Sequence, residues 1–389
     1  MKTIILLIFI FATQVFLMGE CSAQDNYKKL QKIVEYEEAQ VHFVPHFNPE
    51  DYKFKGNPKN IILLIGDGMG IGQIYAGYTA NKGNLNLFNM NIIGFTHTQS
   101  FSDYVTDSAA GGTAIACGEK TVNGFVGLDA KQDTLFSMLY YFSKAGKSTG
   151  LVSSSAITHA TPASFVAHVN KRDRYEDIAA DFLKCDIDLF IGGGEKHFAE
   201  REDNRNLLEE LRQKGFTVGD STFKPDKATK LPLAILNTSI HNPKAKLRGD
   251  ILPQNSKFAI ELLSKNKKGF FLMVEGSQID WGGHSNDISL IVDELLDFDK
   301  VVGAALDFAK RDKNTLVIVT ADHETGGTAI VDGNIQLGAV TSNFATTTHT
   351  AVMVPVFAYG CGAEQFGGVY QNTQLFYKIM KLTGVKVKK

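Results

Sequence analysis

Three short motifs place acidic and imidazole side chains where a metal centre would need them. GDGMG at 66–70, EGSQIDWGGH at 275–284 and ADHETGG at 321–327 each follow an apolar run of the kind that forms a buried strand. Each therefore sets a carboxylate at a strand exit. Asp67, Asp280 with His284 four residues on, the adjacent Asp322 and His323, and the later His349 offer mixed oxygen and nitrogen donors. That mixture suits zinc. Glu275, taken with Asp67 and the hydroxyl of Thr161, offers oxygen alone and suits magnesium better. Any one of these residues taken singly reads more simply as a cap, a turn or a satisfied polar group. It is their joint placement that points to a metal.

A nucleophile is suggested by TDSAAGGTA at 106–114, where Ser108 opens a run of small, helix-forming residues. At a helix amino terminus the backbone amides and dipole favour an anion, and a serine oxygen beside zinc ionises near neutral pH without a histidine base. The alternative is that Thr106, Asp107 or Ser108 is only an N-cap. HATPASFVAHVNKR at 159–172 ends on Arg172, whose planar fork matches two phosphate oxygens. Lys171 and Arg174 flank it, so a surface charge cluster is the competing reading. His168 reads as a packing or hydrogen-bonding residue.

The elements that would position these groups follow an alternation of short apolar runs and amphipathic stretches. Candidate strands are 61–65, 148–153, 189–191, 270–274, 316–320 and 352–358, and candidate helices are 107–117, 134–144, 175–183, 204–214, 255–265, 289–309 and 373–381. This pattern predicts an α/β fold, a large and mostly parallel sheet with crossover helices on both faces. In open sheets of this kind ligands collect at the carboxyl ends of the strands. No linker divides the chain, so residues 60–389 read as one domain. A polar arm spans 24–59 and either wraps a neighbouring subunit or lies on the surface. The stretch 217–248 has turn residues and few strong apolar runs, which predicts a peripheral excursion.

The chain has 389 residues, 44% of them apolar, and a formal net charge of −2, which excludes wholesale disorder and gives no electrostatic footprint for nucleic acid. At the amino terminus Lys2, an apolar run from 4 to 18 and the small residues Cys21, Ser22 and Ala23 read as a signal peptide over 1–23, implying export to a periplasm or out of the cell. The run is too short and too interrupted for a membrane span, which takes about 20 residues. Loss of Cys21 leaves Cys117, Cys185 and Cys361, an odd set at wide spacing that predicts at most one bridge.

Taken together, GDGMG, TDSAAGGTA, HATPASFVAHVNKR, VEGSQIDWGGH, VTADHETGG and HTAVMVPVFAYG at 349–360 resemble the alkaline phosphatase family, in the family's order and from about residue 60 onward. The resemblance implies two zinc ions and one magnesium ion per chain. Asp280, His284 and His349 would hold one zinc; Asp67, Asp322, His323 and the Ser108 oxygen the second; Asp67, Thr161 and Glu275 the magnesium, with Arg172 clamping phosphate. It also implies hydrolysis of phosphate monoesters of broad structure through a phosphoserine, release of inorganic phosphate, and a homodimer. Two departures bear on this. His159 and Trp281 stand where the enteric form has aspartate and lysine, so His159 is a further candidate ligand of the third ion. Only 25 residues separate His323 from His349, too few for the crown insertion of animal members. The alternatives are a phosphodiesterase or other bimetal relative, and an exported metal-binding protein without turnover. A sulfatase is disfavoured because no cysteine lies in a C-x-P-S-R context.

Overall fold

The run at 60–66 is buried along its whole length, and its alternating side chains enter two different cores. Ile61, Leu63 and Ile65 pack with Ile115, Phe142, Phe165 and Phe376. Ile62 and Leu64 pack with Ile74, Ile260, Leu295 and Leu306. A strand with apolar residues on both faces of its pleat can be satisfied only between two layers. This strand therefore lies in the middle of a sheet covered on both sides.

The computed structural model describes residues 41–224 and 230–387, with the backbone of 35–36; the signal-peptide candidate at 1–23 lies outside the described residues. The strands are β1 (Glu35–Tyr36), β2 (Asn60–Gly66), β3 (Ile92–His97), β4 (Ser148–Ala156), β5 (Leu189–Gly193), β6 (Thr217–Gly219), β7 (Leu233–Leu236), β8 (Phe270–Gly276), β9 (Thr315–Thr320), β10 (Glu324–Thr325), β11 (Thr328–Asn334), β12 (Ala339–Phe344), β13 (His349–Thr350), β14 (Val354–Gly360) and β15 (Gly368–Gln371). The helices are α1 (Ile71–Ala80), α2 (Ser108–Cys117), α3 (Met138–Lys144), α4 (Ala160–Ala163), α5 (Tyr175–Asp181), α6 (Glu195–Ala199), α7 (Leu207–Gln213), α8 (Ala245–Arg248), α9 (Ile251–Leu263), α10 (Gln278–Ser285), α11 (Ile288–Asp312) and α12 (Gln374–Thr383).

Ten strands form one sheet in the order β15-β3-β14-β9-β2-β8-β4-β5-β7-β6. Only β14 runs against its neighbours, β3 and β9. The expected mostly parallel α/β fold is therefore present. The predicted excursion at 217–248 is not purely peripheral, because β7 and β6 complete one edge of the sheet. The four residues of β7 are fully buried, but so short a run between Pro232 and Asn237 carries little signal in a sequence. Helix α3 begins later than the pattern suggested because the Ser137 hydroxyl caps it by accepting from the Tyr140 amide.

The described part of the arm lies on its own chain. Phe47, Tyr52 and Phe54 surround the Tyr359 ring, the Tyr359 hydroxyl donates to the Asp51 carbonyl, and His42 contacts Asp299 at 2.7 Å. The span between His323 and His349 holds the β11–β12 hairpin, with β1 paired to β12. Cys117, Cys185 and Cys361 are free thiols. Among the described residues no helix is long and apolar enough to cross a membrane.

Candidate metal centre

The central parallel strands deliver the chemistry at their carboxyl ends. β2 pairs with β8 and β9, so its exit lies beside both of theirs and Asp67, Glu275 and Asp322 arrive together, all fully buried. Gly68 makes the close approach possible: its φ is +71°, and a side chain there would press on Thr325 and Asp280.

Asp280 and His284 sit one turn apart on α10, with His284 Nε2 3.3 Å from Asp280 Oδ2. His349 Nε2 lies 3.5 Å from Asp280 Oδ1 and 3.1 Å from His284 Nε2. Both rings are oriented from behind: His349 Nδ1 meets the Thr106 carbonyl at 2.9 Å, and His284 Nδ1 meets the Thr347 carbonyl at 2.7 Å. A carbonyl can only accept, so both Nδ1 atoms carry hydrogen and both Nε2 lone pairs face each other beside a carboxylate. That is the orientation of metal-ligating histidines, and it is repulsive without a cation between them. Without a cation, the hydrogen bond to Asp280 raises the proton affinity of His284.

His323 Nε2 lies 3.4 Å from Asp67 Oδ1, 3.4 Å from Asp322 Oδ2 and 3.1 Å from the Ser108 hydroxyl oxygen. Ser108 is the first residue of α2, and Asp107 is its N-cap, accepting from the Ala110 amide. Asp107 also accepts from Arg172 Nη1 at 3.0 Å, which fixes the guanidinium next to the serine. The N-cap reading and the nucleophile reading thus fall on adjacent residues. Arg174 instead pairs with Asp177, and His168 bonds the Leu135 carbonyl, outside this site.

Three donor groups have atoms within 4.8 Å of one another: Asp280, His323 and His349; Asp67, Asp322 and His323; and Asp67, His159 and Glu275. Thr161 joins the last, its hydroxyl 3.5 Å from Asp67 Oδ2. The fit to cations is visible in what these groups lack. Asp67 Oδ1, Asp322 Oδ2, Glu275 Oε1 and His159 Nδ1 are buried and have no hydrogen-bond partner. Orphaned polar atoms are costly in a protein interior, and their convergence marks a place for positive charge. The same deficit appears in proton affinities. Burial, with Asp322, Asp280 and Glu275 nearby, pushes the Asp67 carboxyl well above the usual range. Burial and the same neighbourhood push Asp322 up to about 8, while burial holds His159 down to about 3 and His323 well below its ordinary value.

Every site residue expected from the sequence lies in or against this cluster. Several supporting residues carried no sequence signal. Ser153 and Ser277 each donate to Glu275 Oε2 at 2.6 Å, and Thr325 donates to Asp280 Oδ1 at 2.5 Å. His241 lies edge-on to His159 and Trp281, with ring centroids 5.9 and 5.0 Å away.

An α/β sheet with such a cluster at its carboxyl edge is suited to metal-assisted hydrolysis. A sequence model of the alkaline phosphatase family matches residues 58–343. The chain is 34% identical to alkaline phosphatase 4 of Bacillus subtilis over 84% of this chain and 90% of that protein. It is 33% identical to the alkaline phosphatase of Escherichia coli, over 84% and 86% respectively. The solved alkaline phosphatase of the Antarctic bacterium TAB5 matches with a TM-score of 0.82 at 40% identity, covering 86% of this chain and 100% of that one. The chain belongs to the alkaline phosphatase family, metal-dependent enzymes that hydrolyse phosphate monoesters.

Proposed function

We propose that the chain is an exported phosphomonoesterase of broad specificity that works through a phosphoserine on Ser108, with two zinc ions and one magnesium ion. The observation that carries this reading is the Ser108 oxygen 3.1 Å from His323 Nε2, at a helix amino terminus and among orphaned carboxylate oxygens. Asp280, His284 and His349 would hold one zinc, Asp67, Asp322 and His323 the other, and Asp67, Thr161 and Glu275 the magnesium. A histidine-to-aspartate variant of the TAB5 enzyme has magnesium in its M3 site; here His159 stands in the third donor group. The imidazole adds nitrogen to an oxygen set, which widens the range of ions that group accepts.

Divalent cations held there supply the charge that lowers the proton affinity of a neighbouring hydroxyl and offsets negative charge on a phosphoryl group. Ser108 attacks phosphorus in line with the leaving alcohol, and water later attacks the phosphoserine to release inorganic phosphate. Arg172, held by Asp107, binds two phosphoryl oxygens and keeps the group oriented for both steps. None of these residues grips the alcohol, which supports broad acceptance. A homodimer is the family expectation.

Ser108→Ala tests the reading. Monoester turnover should fall by about a thousandfold or more, since the nucleophile is lost while the carboxylate and imidazole donors remain. A phosphorylated peptide should be trapped by acid quench in the wild type only. Turnover near wild type in metal-replete buffer would remove Ser108 from its role.

A further inference from the structure

The strand segment carrying His349 pairs with the rest of the centre through a two-residue ladder, β10 with β13, in which Glu324 faces Thr350 and Thr325 faces His349. Two residues of pairing are marginal alone. Behind the ladder lies a buried amide–carboxylate pair that neither the metal donors nor the nucleophile account for. Gln73 is fully buried on α1 and Glu324 is 4% exposed. The Gln73 amide nitrogen donates to Glu324 Oε1 at 2.7 Å, to the Thr325 carbonyl at 2.7 Å and to the Thr328 hydroxyl at 3.0 Å. The Gln73 oxygen accepts from the Gly70 amide at 3.0 Å. Glu324 also accepts from the Thr328 amide at 3.0 Å, the Gly327 amide at 3.2 Å and the Thr350 hydroxyl.

A buried carboxylate with no cationic partner is expensive unless several donors converge on it. The segments joined by this pair come from three places. Gly70 follows the turn that begins at Asp67, Glu324 directly follows Asp322 and His323, and Thr350 directly follows His349. Gly70 has no room for a side chain, which would collide with the Glu324 stem. One pair of side chains therefore ties together the segments that present donors to both zinc positions.

We propose that Gln73 and Glu324 are positioning residues that set the spacing of the His349 segment against the Asp67 and Asp322–His323 segments, and so set zinc affinity. This rests on the metal assignment proposed above. The pair touches neither an ion nor substrate; it acts through the segments that do. Outer groups that orient metal ligands typically change affinity by about 10–100-fold when removed.

The test uses the full chain and measures zinc affinity by competition with a chromophoric chelator. Two variants are compared: Glu324→Gln, which turns an acceptor against a donor, and Thr350→Val, which removes one hydroxyl at constant shape. Glu324→Gln should bind one of its zinc ions about tenfold or more weakly, with excess zinc restoring turnover. Thr350→Val should move the same ion in the same direction by less. A change of thermal stability with unaltered zinc affinity in Thr350→Val, or in folded Glu324→Gln, would overturn the inference. Wild type that takes up zinc while both variants match it overturns this inference alone. Wild type that takes up no zinc overturns the metal assignment beneath it as well.

Discussion

Two of the clusters of buried charge among the described residues are built on opposite plans. In one, Arg248 reaches from the end of α8 to Glu294 and Asp297 on α11, at 2.6 and 2.7 Å, with side chains between 1% and 5% exposed. Further bonds reinforce it: Arg248 Nη1 donates to the Pro243 carbonyl and Glu294 accepts from the Ala245 amide. In the other, Asp67, Asp322, Glu275 and Asp280 converge with one guanidinium nearby, that of Arg172, already bonded to Asp107. Three of those four carboxylates keep an orphaned oxygen. The first cluster is answered within the chain and fastens the 237–250 segment to α11. The second is left open, which is what a site for external cations and an anionic substrate requires.

The comparison predicts that metal removal strikes one cluster and spares the other. Chelator treatment should abolish monoester hydrolysis, about a thousandfold or more, and lower the melting temperature; zinc and magnesium should restore both. Restoration by sodium chloride alone would mean that simple screening serves the open cluster. The closed cluster should fail the opposite way. Arg248→Ala leaves two buried carboxylates unpaired and should cost about 3–5 kcal/mol of folding stability, read from denaturant unfolding. The zinc content of the folded fraction should be unchanged; a loss of zinc would show the clusters to be coupled.

A smaller effect separates Arg172 from Arg248. Arg172→Ala should weaken inhibition by inorganic phosphate by about 10–100-fold, the worth of one or two charged hydrogen bonds, with little loss of stability. An unchanged inhibition constant would return Arg172 to the surface-charge reading. The smallest effect is in pH. Burial and the neighbouring Glu294 outweigh Arg248 and push Asp297 up to about 6. The folded chain then binds its proton more tightly than the unfolded chain does. This contribution to stability is largest below the unfolded value of 3.8 and is lost as pH rises toward about 6. Asp297→Asn should flatten the stability profile across that window, and an unaltered slope would assign it to other groups.

The open cluster was legible in the sequence for the same reason that it is open. Its residues stand at strand exits, next to apolar runs that announce themselves, and they are of types that a chain rarely buries without a partner. Asp67, Glu275 and Asp322 could be brought together by sheet topology alone. The closed cluster was not legible. Glu294 and Asp297 lie on a helix whose sequence shows chiefly its apolar stripe, and Arg248 comes from a turn of helix 46 residues away from Glu294. Gln73, Glu324 and Thr325 were hidden similarly, since their partners lie far away along the chain and each residue alone looks like any polar residue in a turn. The edge strand β7 was missed because four apolar residues give no period to read.

The central claim is that the open cluster holds divalent cations for phosphomonoester hydrolysis. It is tested most directly by counting zinc and magnesium per purified chain while measuring phosphate release from a generic monoester and from a diester. Two zinc ions and one magnesium ion per chain are expected, with the monoester strongly preferred. Full-rate phosphate release from a chain free of divalent ions, or stoichiometric ions with no release, would contradict it.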